Sequence, residues 1–434
     1  MARELFGTDG VRGVAGEKLT ADLALRLGRA AAEETGVERP RVLLIRDTRE
    51  SGEMLEAGLA AGVTAAGGDV FLGGVLPTPA APLLLGQYGF DLAAVVSASH
   101  NPYADNGIKF FAGDGFKLSD DHEDAIEERL RAPAAPCTTI GRVRALHGTQ
   151  EDYLRALEVR FDGLDLDGLD VLLDCAHGAT YRVAPEIFRR LGATVTTIGT
   201  EPDGRNINDG VGSTHIAALA AEVAAGGHAI GFAFDGDGDR VLAADRAGVV
   251  VDGDELIALA VLHLRAQDRL GGGVAVTVMT NYGFHSAMRA AGIEVATTSV
   301  GDRYVLEALR ERGWALGGEQ SGHIIDMGFV PSGDGIASAL LTLEALAGGD
   351  LADRHAMEKL PQTLVNCRVP DKDVAMAAVA DAADGENAGL DGRGRVLVRP
   401  SGTEQLVRVM VEAPTAEECE AVCGRLVALV ESAS

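Results

Sequence analysis

Aromatic side chains are scarce. Phe, Tyr and Trp together supply 4% of 434 residues, and Trp occurs once. Gly alone occurs 56 times and Ala is abundant, so the core has to be built from small aliphatic groups, which suits close packing of helices on sheets. Positive charge is also short: 38 Lys and Arg face 65 Asp and Glu, a formal net charge of −27. That balance argues against wrapping nucleic acid, because neutralising phosphates needs a basic face. Most of the acidity serves solubility, and an anionic substrate would have to be met by Lys and Arg gathered locally. Five cysteines (Cys137, Cys175, Cys367, Cys419, Cys423) are odd in number and scattered, and the pair Cys419 and Cys423 has no partners at zinc-finger spacing. Reduced thiols and a cytoplasmic location are expected, not a disulfide framework. No apolar run reaches the ~20 residues a membrane span needs. Met1 to Phe6 carries no apolar h-region, so no signal peptide is expected.

With 47% hydrophobic and 24% charged residues the chain reads as globular, and its length predicts about three domains. A helix is predicted over 19–34, with Leu23, Leu27 and Ala30 on one side, then a strand over 41–46, a helix over 51–66 and a strand over 69–72. A further helix begins at Pro77-Thr78-Pro79, where proline is comfortable in a first turn, and a strand covers 92–96. This β-α-β-α-β order predicts a parallel sheet covered on both faces. An acidic helix over 120–131 and a Pro-rich joint over 132–136 close the unit. The pattern restarts with strands over 169–174, 193–198 and 229–234, helices over 179–191 and 215–225, and a long polar loop over 203–212. A third round has helices over 255–264, 282–291, 302–312 and 335–347 and strands over 274–279 and 294–297. A smaller unit ends the chain, with strands over 362–369, 395–398 and 406–412 and helices over 373–383 and 415–430. The expected domains are three α/β units, 1–150, 151–250 and 251–365, and a C-terminal α+β unit, 366–434.

Four stretches carry chemistry. In S-A-S-H-N-P a buried strand breaks into turn formers, and a hydroxyl at the carboxyl end of such a strand lies where open α/β sheets bind ligands. Ser99 is followed by His100, with Lys109 ten positions on. A serine oxygen needs a proton acceptor or a metal to become a nucleophile, and a neighbouring cation would let it carry phosphate; a polar turn between two strands is the alternative. In D-G-D-G-D-R, Asp235, Asp237 and Asp239 can turn to one hard cation, with glycines permitting the tight fold and Arg240 adjacent for a phosphate or for the loop itself. An EF-hand fails: its sixth position would be Arg240, not Gly, and its twelfth Arg246, not Glu. In G-G-E-Q-S-G-H, Glu319, Ser321 and His323 at period two would share one face of an extended segment. Glu319 and Ser321 suit sugar hydroxyls, and His323 suits acid–base work. R-P-S-G-T-E-Q-L-V-R, from Arg399 to Arg408, combines guanidinium forks, hydroxyls and a loop amide into a phosphate receptor, or is a hairpin turn with two surface arginines. Near the start, F-G-T-D-G-V-R-G offers Arg12 as a fork for a phosphate. Together these imply a cleft where phosphate passes between a serine and a sugar hydroxyl.

These motifs, with D-N-G-I-K-F-F after the serine loop and S-V-G-D-R-Y-V ahead of G-G-E-Q-S-G-H, follow one another as in the α-D-phosphohexomutases, which the chain resembles along its whole length. The resemblance implies three similar α/β mixed-sheet domains and a C-terminal α+β domain, arranged as a heart around a central cleft. Ser99 would be the phosphoserine, and Asp235, Asp237 and Asp239, with the phosphate on Ser99, would hold one Mg²⁺. Glu319 and Ser321, with Gly301, Asp302 and Arg303, would bind the sugar. Arg399, Ser401, Gly402, Thr403 and Arg408 would bind the non-reacting phosphate. Arg12, His100, Lys109 and His323 would lie near the transferring group, with Lys109 or His323 moving protons. The implied reaction interconverts glucosamine 6-phosphate and glucosamine 1-phosphate through glucosamine 1,6-bisphosphate, supplying UDP-N-acetylglucosamine and peptidoglycan precursors. Mannose or glucose phosphates are the alternative substrates, and a sugar-phosphate phosphatase or a non-catalytic sensor are alternatives of other classes. The expected partner is a small phosphosugar, with neither nucleic acid nor membrane; a homodimer and an activating kinase are admitted without being required. Two positions depart from the family pattern: Gln405 stands where Pro is usual, and His177 where Asn is usual.

Overall fold

A computed structural model describes residues 5–7, 9–132, 137–401 and 404–433. Thr8, the joint at 133–136, Gly402 and Thr403 lie outside the described residues. The chain divides into two compact units, Met1–Val278 with Ala296–Arg354, and Met279–Val295 with His355–Ser434.

The first unit opens with β1 (Phe6–Gly7), β2 (Gly10–Val14), α1 (Ala21–Glu34), β3 (Arg41–Arg46), α2 (Gly52–Ala65), β4 (Asp69–Val75), α3 (Ala80–Tyr88), β5 (Leu92–Val96), β6 (Asp105–Ala112), α4 (Asp120–Arg131), β7 (Val143–Ala145) and α5 (Thr149–Arg160). Its sheet runs β1-β2-β6-β5-β3-β4-β7. The sheet is mixed, as the family resemblance implies and unlike the parallel sheet expected from element order alone: β3 pairs parallel with β4 and β5, but β6 returns antiparallel beside β5 and leads to antiparallel β2 and β1. The chain between β5 and β6 is a short turn, and a parallel return would need a crossover of a dozen or more residues. Helix α1 begins at Ala21, not at 19, because the Thr20 hydroxyl accepts from the Leu23 N–H at 3.2 Å and caps it. The Ala/Gly bias has a direct cause here. A Cβ on Gly62 would lie 1.9 Å from the Leu25 carbonyl oxygen, and one on Gly28 2.4 Å from that of Leu59, so α1 and α2 touch backbone to backbone. Leu27, Ala31, Leu55 and Leu59 complete that layer over Val42 and Leu44 of β3.

The second sheet holds β8 (Asp170–Asp174), β9 (Thr194–Ile198), β10 (Ile230–Phe234), β11 (Val241–Asp245) and β12 (Val250–Val251), in the order β12-β11-β10-β8-β9, with α6 (Val183–Arg190) and α7 (Ile216–Gly226). Helix α6 starts at Val183, four residues later than expected, and in the turn that precedes it Ala176 and His177 sit at φ 55° and 50°, in the left-handed region. That conformation accounts for position 177. Asn, Asp and His are the side chains that best tolerate the left-handed region, so His can stand where Asn is usual. Its carbonyl accepts from the Thr48 hydroxyl at 2.6 Å and its Nδ1 from the Glu201 N–H at 3.1 Å.

The third group comprises α8 (Gly253–Ala266), β13 (Gly273–Thr277), α9 (Tyr282–Ala290), β14 (Glu294–Thr298), α10 (Asp302–Arg312), β15 (Leu316–Gly318), β16 (Ile324–Asp326) and α11 (Gly335–Leu346), with sheet order β14-β13-β15-β16. Helix α9 belongs to the second compact unit. That unit is completed by β17 (Gln362–Arg368), α12 (Lys372–Gly389), β18 (Arg395–Pro400), β19 (Leu406–Glu412) and α13 (Ala416–Ser432), with an antiparallel sheet β17-β19-β18 over a core of Val407, Val409, Val411, Cys419 and Leu426. All five cysteines are free thiols, and no helix among the described residues is long and apolar enough to cross a membrane.

Asp334 caps α11 through the Ala337 N–H at 2.9 Å and accepts from the Tyr153 hydroxyl of α5 at 3.0 Å. Burial pushes its carboxyl up to about 7. The folded state therefore binds a proton that the unfolded chain releases near the ordinary value of 3.8, and stability falls as pH rises from about 4 to 7. Asn caps as well as Asp, so Asp334→Asn is expected to flatten this slope. Thermal melts at pH 5 and pH 8 should show the variant gaining on the wild type at the higher pH.

Candidate active site

The five residues of β5 are all buried, and the strand ends at Val96. The Ser97 hydroxyl donates to Asp47 Oδ2 at 2.6 Å and accepts from the Ser99 N–H at 3.0 Å, which turns the chain sharply. Ser99 is buried at φ 53°. Its Oγ donates to Asp235 Oδ2 at 2.5 Å and lies 3.3 Å from His100 Nδ1. Burial, then the charges of Arg240 and Arg12, lower the His100 pKa and keep the ring neutral. On β6, Lys109 pairs in register with Val95 of β5, next to the serine loop.

Strand β10 is buried throughout and opens directly into D-G-D-G-D-R, after which β11 returns antiparallel. Asp235, Asp237 and Asp239 are all buried, with ligand oxygens within 4.8 Å of one another. Asp237 Oδ2 accepts from the Thr78 hydroxyl at 2.7 Å and from Lys109 Nζ at 3.0 Å. Oδ1 of Asp237 and Oδ1 of Asp239 are buried without a hydrogen-bond partner. Three hard oxygen donors, two carrying orphaned buried atoms, fit a small divalent cation. Burial and the charges of Asp239 and Asp237 push the Asp235 carboxyl well above its usual range. Burial alone would also raise Asp239, but Lys109 and His323 more than offset it and hold that carboxyl well below. Lys109, buried, would lose its proton more easily on desolvation alone; Asp237, Asp9 and Asp239 reverse this and keep it an ammonium. Arg240 Nε is buried without a hydrogen-bond partner and forms a long ion pair with Asp239 at 3.8 Å.

The segment G-G-E-Q-S-G-H is not extended beyond Gly318. The Gly322 N–H closes a turn on the Glu319 carbonyl at 3.0 Å, and Gly322 adopts φ 89°, so the expected period-two face does not form. A hairpin between β15 and β16 sets the three side chains instead. Glu319 Oε1 accepts from the Gly301 N–H at 3.0 Å, and Ser321 Oγ is buried without a partner. His323 is buried, with Nδ1 3.6 Å from Asp239 and Nε2 3.7 Å from Asp302. Burial would lower its pKa, but Asp239 and Asp302 raise it. Asp302 also pairs with Lys117, which bridges to Asp9 at 2.6 Å; Asp9 in turn contacts Lys109 at 3.0 Å and Arg12. Arg303 turns instead to Asp120 and to Glu123 at 3.1 Å.

In the second unit, β18 and β19 place Arg399 directly opposite Arg408. Like charges facing across a ladder are destabilising, and burial with Arg408 lowers the Arg399 pKa. An anion between the forks would remove that cost. Ser401 Oγ accepts from the Glu404 N–H at 3.2 Å. Gln405 Nε2 donates to the Pro370 carbonyl at 3.0 Å, an anchor that a proline there could not supply.

Models of all four domains of phosphoglucomutase/phosphomannomutase match this chain in order: α/β/α domain I at residues 3–135, domain II at 151–248, domain III at 252–365, and the C-terminal domain at 364–429. The chain belongs to the phosphoglucomutase/phosphomannomutase family. Similar proteins include the phosphoglucosamine mutases of Moorella thermoacetica, 50% identical with 98% of each chain covered, and of Streptomyces avermitilis, 50% identical with 99% of each covered. Among solved structures, a phosphoglucomutase/phosphomannomutase family protein from Burkholderia thailandensis is 26% identical with a TM-score of 0.81, covering 98% of this chain and 96% of that one. The Aspergillus fumigatus N-acetylphosphoglucosamine mutase, solved with GlcNAc-6P and magnesium, shares the fold at 16% identity and a TM-score of 0.71, covering 99% and 96%.

Within this family member the first unit brings together Arg12, Ser99, His100, Lys109, the three aspartates, Arg240 and His323. Sequence reasoning missed Thr78, Asp9 and Lys117. Asp9 lay inside a quoted motif and Lys117 shortly after another, but only the fold shows that they share a bridge. Thr78 was read as a helix start, and its hydroxyl instead fixes Asp237. Gly236 explains why glycine interrupts the aspartates: a Cβ there would lie 2.6 Å from the Ser99 carbonyl oxygen. Gly236→Ala must push the two loops apart. Steady-state kinetics should show kcat lowered about 10- to 100-fold, as expected for a small misplacement, with the fold retained by circular dichroism.

Proposed function

We propose that this enzyme interconverts glucosamine 6-phosphate and glucosamine 1-phosphate, with Ser99 as the phosphate carrier and glucosamine 1,6-bisphosphate as the intermediate. The observation that carries the reading is the 2.5 Å contact between Ser99 Oγ and the first carboxylate of the aspartate triad. The full-length likeness to phosphoglucosamine mutases selects the sugar. The four functional segments are read as residues 1–150, 151–250, 251–365 and 366–434.

Asp235, Asp237 and Asp239, with the phosphate on Ser99, would hold Mg²⁺, which when bound supplies positive charge to the phosphoryl oxygens. The chain's own residues do the rest. Lys109 and Arg12 set fixed cations around the transferring group, and Arg240 offers an Nε without a hydrogen-bond partner. As phosphate passes to the sugar, the Oγ–P bond breaks and a sugar O–P bond forms. The sugar hydroxyl loses one proton and Ser99 Oγ gains one; His323, the ring beside Asp239 and Asp302, relays it, giving up its own proton and taking the sugar's. Lys109, held as an ammonium by three carboxylates, suits charge compensation better than proton removal. Glu319 and Ser321 read the sugar hydroxyls beside Gly301 and Asp302. Arg399, Ser401 and Arg408, with Gly402 and Thr403, take the phosphate that stays on the sugar. After the first transfer the bisphosphate turns over, and the other phosphate returns to Ser99. Positioning does most of the catalytic work. The expected setting is the cytoplasm and the supply of UDP-N-acetylglucosamine.

Ser99→Ala should lower kcat/KM for glucosamine 6-phosphate by at least about 10⁴-fold, since the covalent carrier is gone. Near-wild-type turnover by that variant would overturn the assignment, and a preference of the wild type for mannose 6-phosphate would change the substrate. EDTA should abolish turnover and Mg²⁺ restore it in the same coupled assay.

A further inference from the structure

The serine loop is gripped from behind by two side chains that no step above uses. Arg49 is 1% exposed, and its Nε pairs with Asp47 Oδ2 at 2.9 Å. Its Nη2 donates to the carbonyls of Ser99 at 2.9 Å and Asn101 at 2.8 Å. Its Nη1 donates to the carbonyl of Asp105 at 3.0 Å and to that of Pro102. Asn208, on the long polar loop after β9, reaches the same two carbonyls from the other side: its Nδ2 lies 2.9 Å from the Ser99 oxygen and 3.1 Å from that of Asn101. One guanidinium and one amide, from loops that follow strands of two different sheets, thus converge on one turn. Between them Ser99 holds φ 53°, a backbone conformation that a residue with a Cβ keeps only when its surroundings over-determine it. If the Ser99 carbonyl were released, the chain could relax to the ordinary region and swing Oγ away from Asp235. Asn208 itself sits at φ 59° and is nearly buried, so its own backbone is committed to presenting the amide.

We propose that Arg49 and Asn208 are positioning residues for phosphoryl transfer: as a two-sided clamp on the carbonyls of Ser99 and Asn101, they hold the serine in its left-handed conformation and aim Oγ along the transfer path. The proposal rests on the reading of Ser99 as phosphate carrier. It makes the loop after β9 a working part of the site, with Asn208 reaching the serine loop through the main-chain carbonyls of Ser99 and Asn101. It also separates two effects. The clamp acts on the carrier, so its loss should slow transfer without weakening the hold on the sugar.

The test uses full-length dephosphorylated enzyme and ³²P-labelled glucosamine 1,6-bisphosphate, with labelling of Ser99 followed by rapid quench. In that step a sugar O–P bond breaks, the Oγ–P bond forms, and the Ser99 hydroxyl proton ends on the freed sugar oxygen. Asn208→Gly removes the amide while permitting the positive φ, and Arg49→Lys keeps the charge beside Asp47 but loses the fork. Labelling and kcat, each per folded molecule, should fall about 10- to 100-fold in both variants, with KM within about twofold of wild type. Wild-type labelling rates in Asn208→Gly, or a loss confined to KM or to the folded fraction, would overturn the clamp. Should Arg49→Lys fail to fold, Asn208→Gly decides alone. Absence of label on wild-type Ser99 would instead overturn the phosphoserine reading, leaving the two failures distinguishable.

Discussion

Three buried carboxylates cannot be brought within a few ångströms of one another unless positive charge is brought with them. Asp235, Asp237 and Asp239 meet that constraint at the tip of one loop. The compensating charges come from elsewhere: Lys109 from β6, His323 from the β15–β16 hairpin, and Arg240 from the loop's own end. The three carboxylates, Lys109 and His323 are buried and Arg240 is partly so, and an unpaired buried charge is among the costliest features a fold can carry. The loops of the first compact unit are therefore tied to one another by electrostatics as much as by packing, and the extended bridge Asp9–Lys117–Asp302 continues the same pattern outward.

The scaffold makes this convergence possible. Strands β5 and β10 both deliver their loops from carboxyl ends, the end at which open α/β sheets present ligand-binding groups. Both are wholly buried, so the loops leave rigid bases. Both then return antiparallel, through β6 and β11, giving tight tips in place of the long crossovers of an all-parallel sheet. Glycine lets the tips touch at Gly236, and the hydrogen bonds to the Ser99 carbonyl prevent that contact from relaxing. A metal site and a hydroxyl thus share one small volume.

Motif chemistry was legible where residue type alone carries it. Alternating aspartates and glycines in 235–239 point to a hard cation in any backbone that can bend, and two arginines flanking S-G-T point to an anion. Element positions were also legible wherever a cap or a buried run marks them, as at β3, β5 and α10. Reading failed where geometry depended on a partner far along the chain. The period-two face of Glu319, Ser321 and His323 presumed an extended segment, whereas Gly322 folds it into a turn. The parallel sheet presumed a crossover that the serine loop does not make. Helix α5 was missed because its apolar stripe, Tyr153, Leu154 and Leu157, is short and set among charged residues. His177 looked like an unexplained departure until its positive φ was known, because nothing local announces a left-handed residue that is not glycine.

Residue order by itself determined the chemical inventory: which side chains can carry phosphate, which can hold a cation, which can neutralise an anion, and in what sequence they occur. These follow from functional groups and short-range backbone freedom, both of which are local. Only the tertiary structure decided which groups meet. That Thr78 and Lys109 grip the same carboxylate oxygen, that Arg49 and Asn208 reach the same two carbonyls, and that Arg303 is taken up by Asp120 and Glu123 are outcomes of long-range packing. They depend on sheet order and strand register, which are settled by the burial of whole faces at once and leave no mark at the individual positions they bring together.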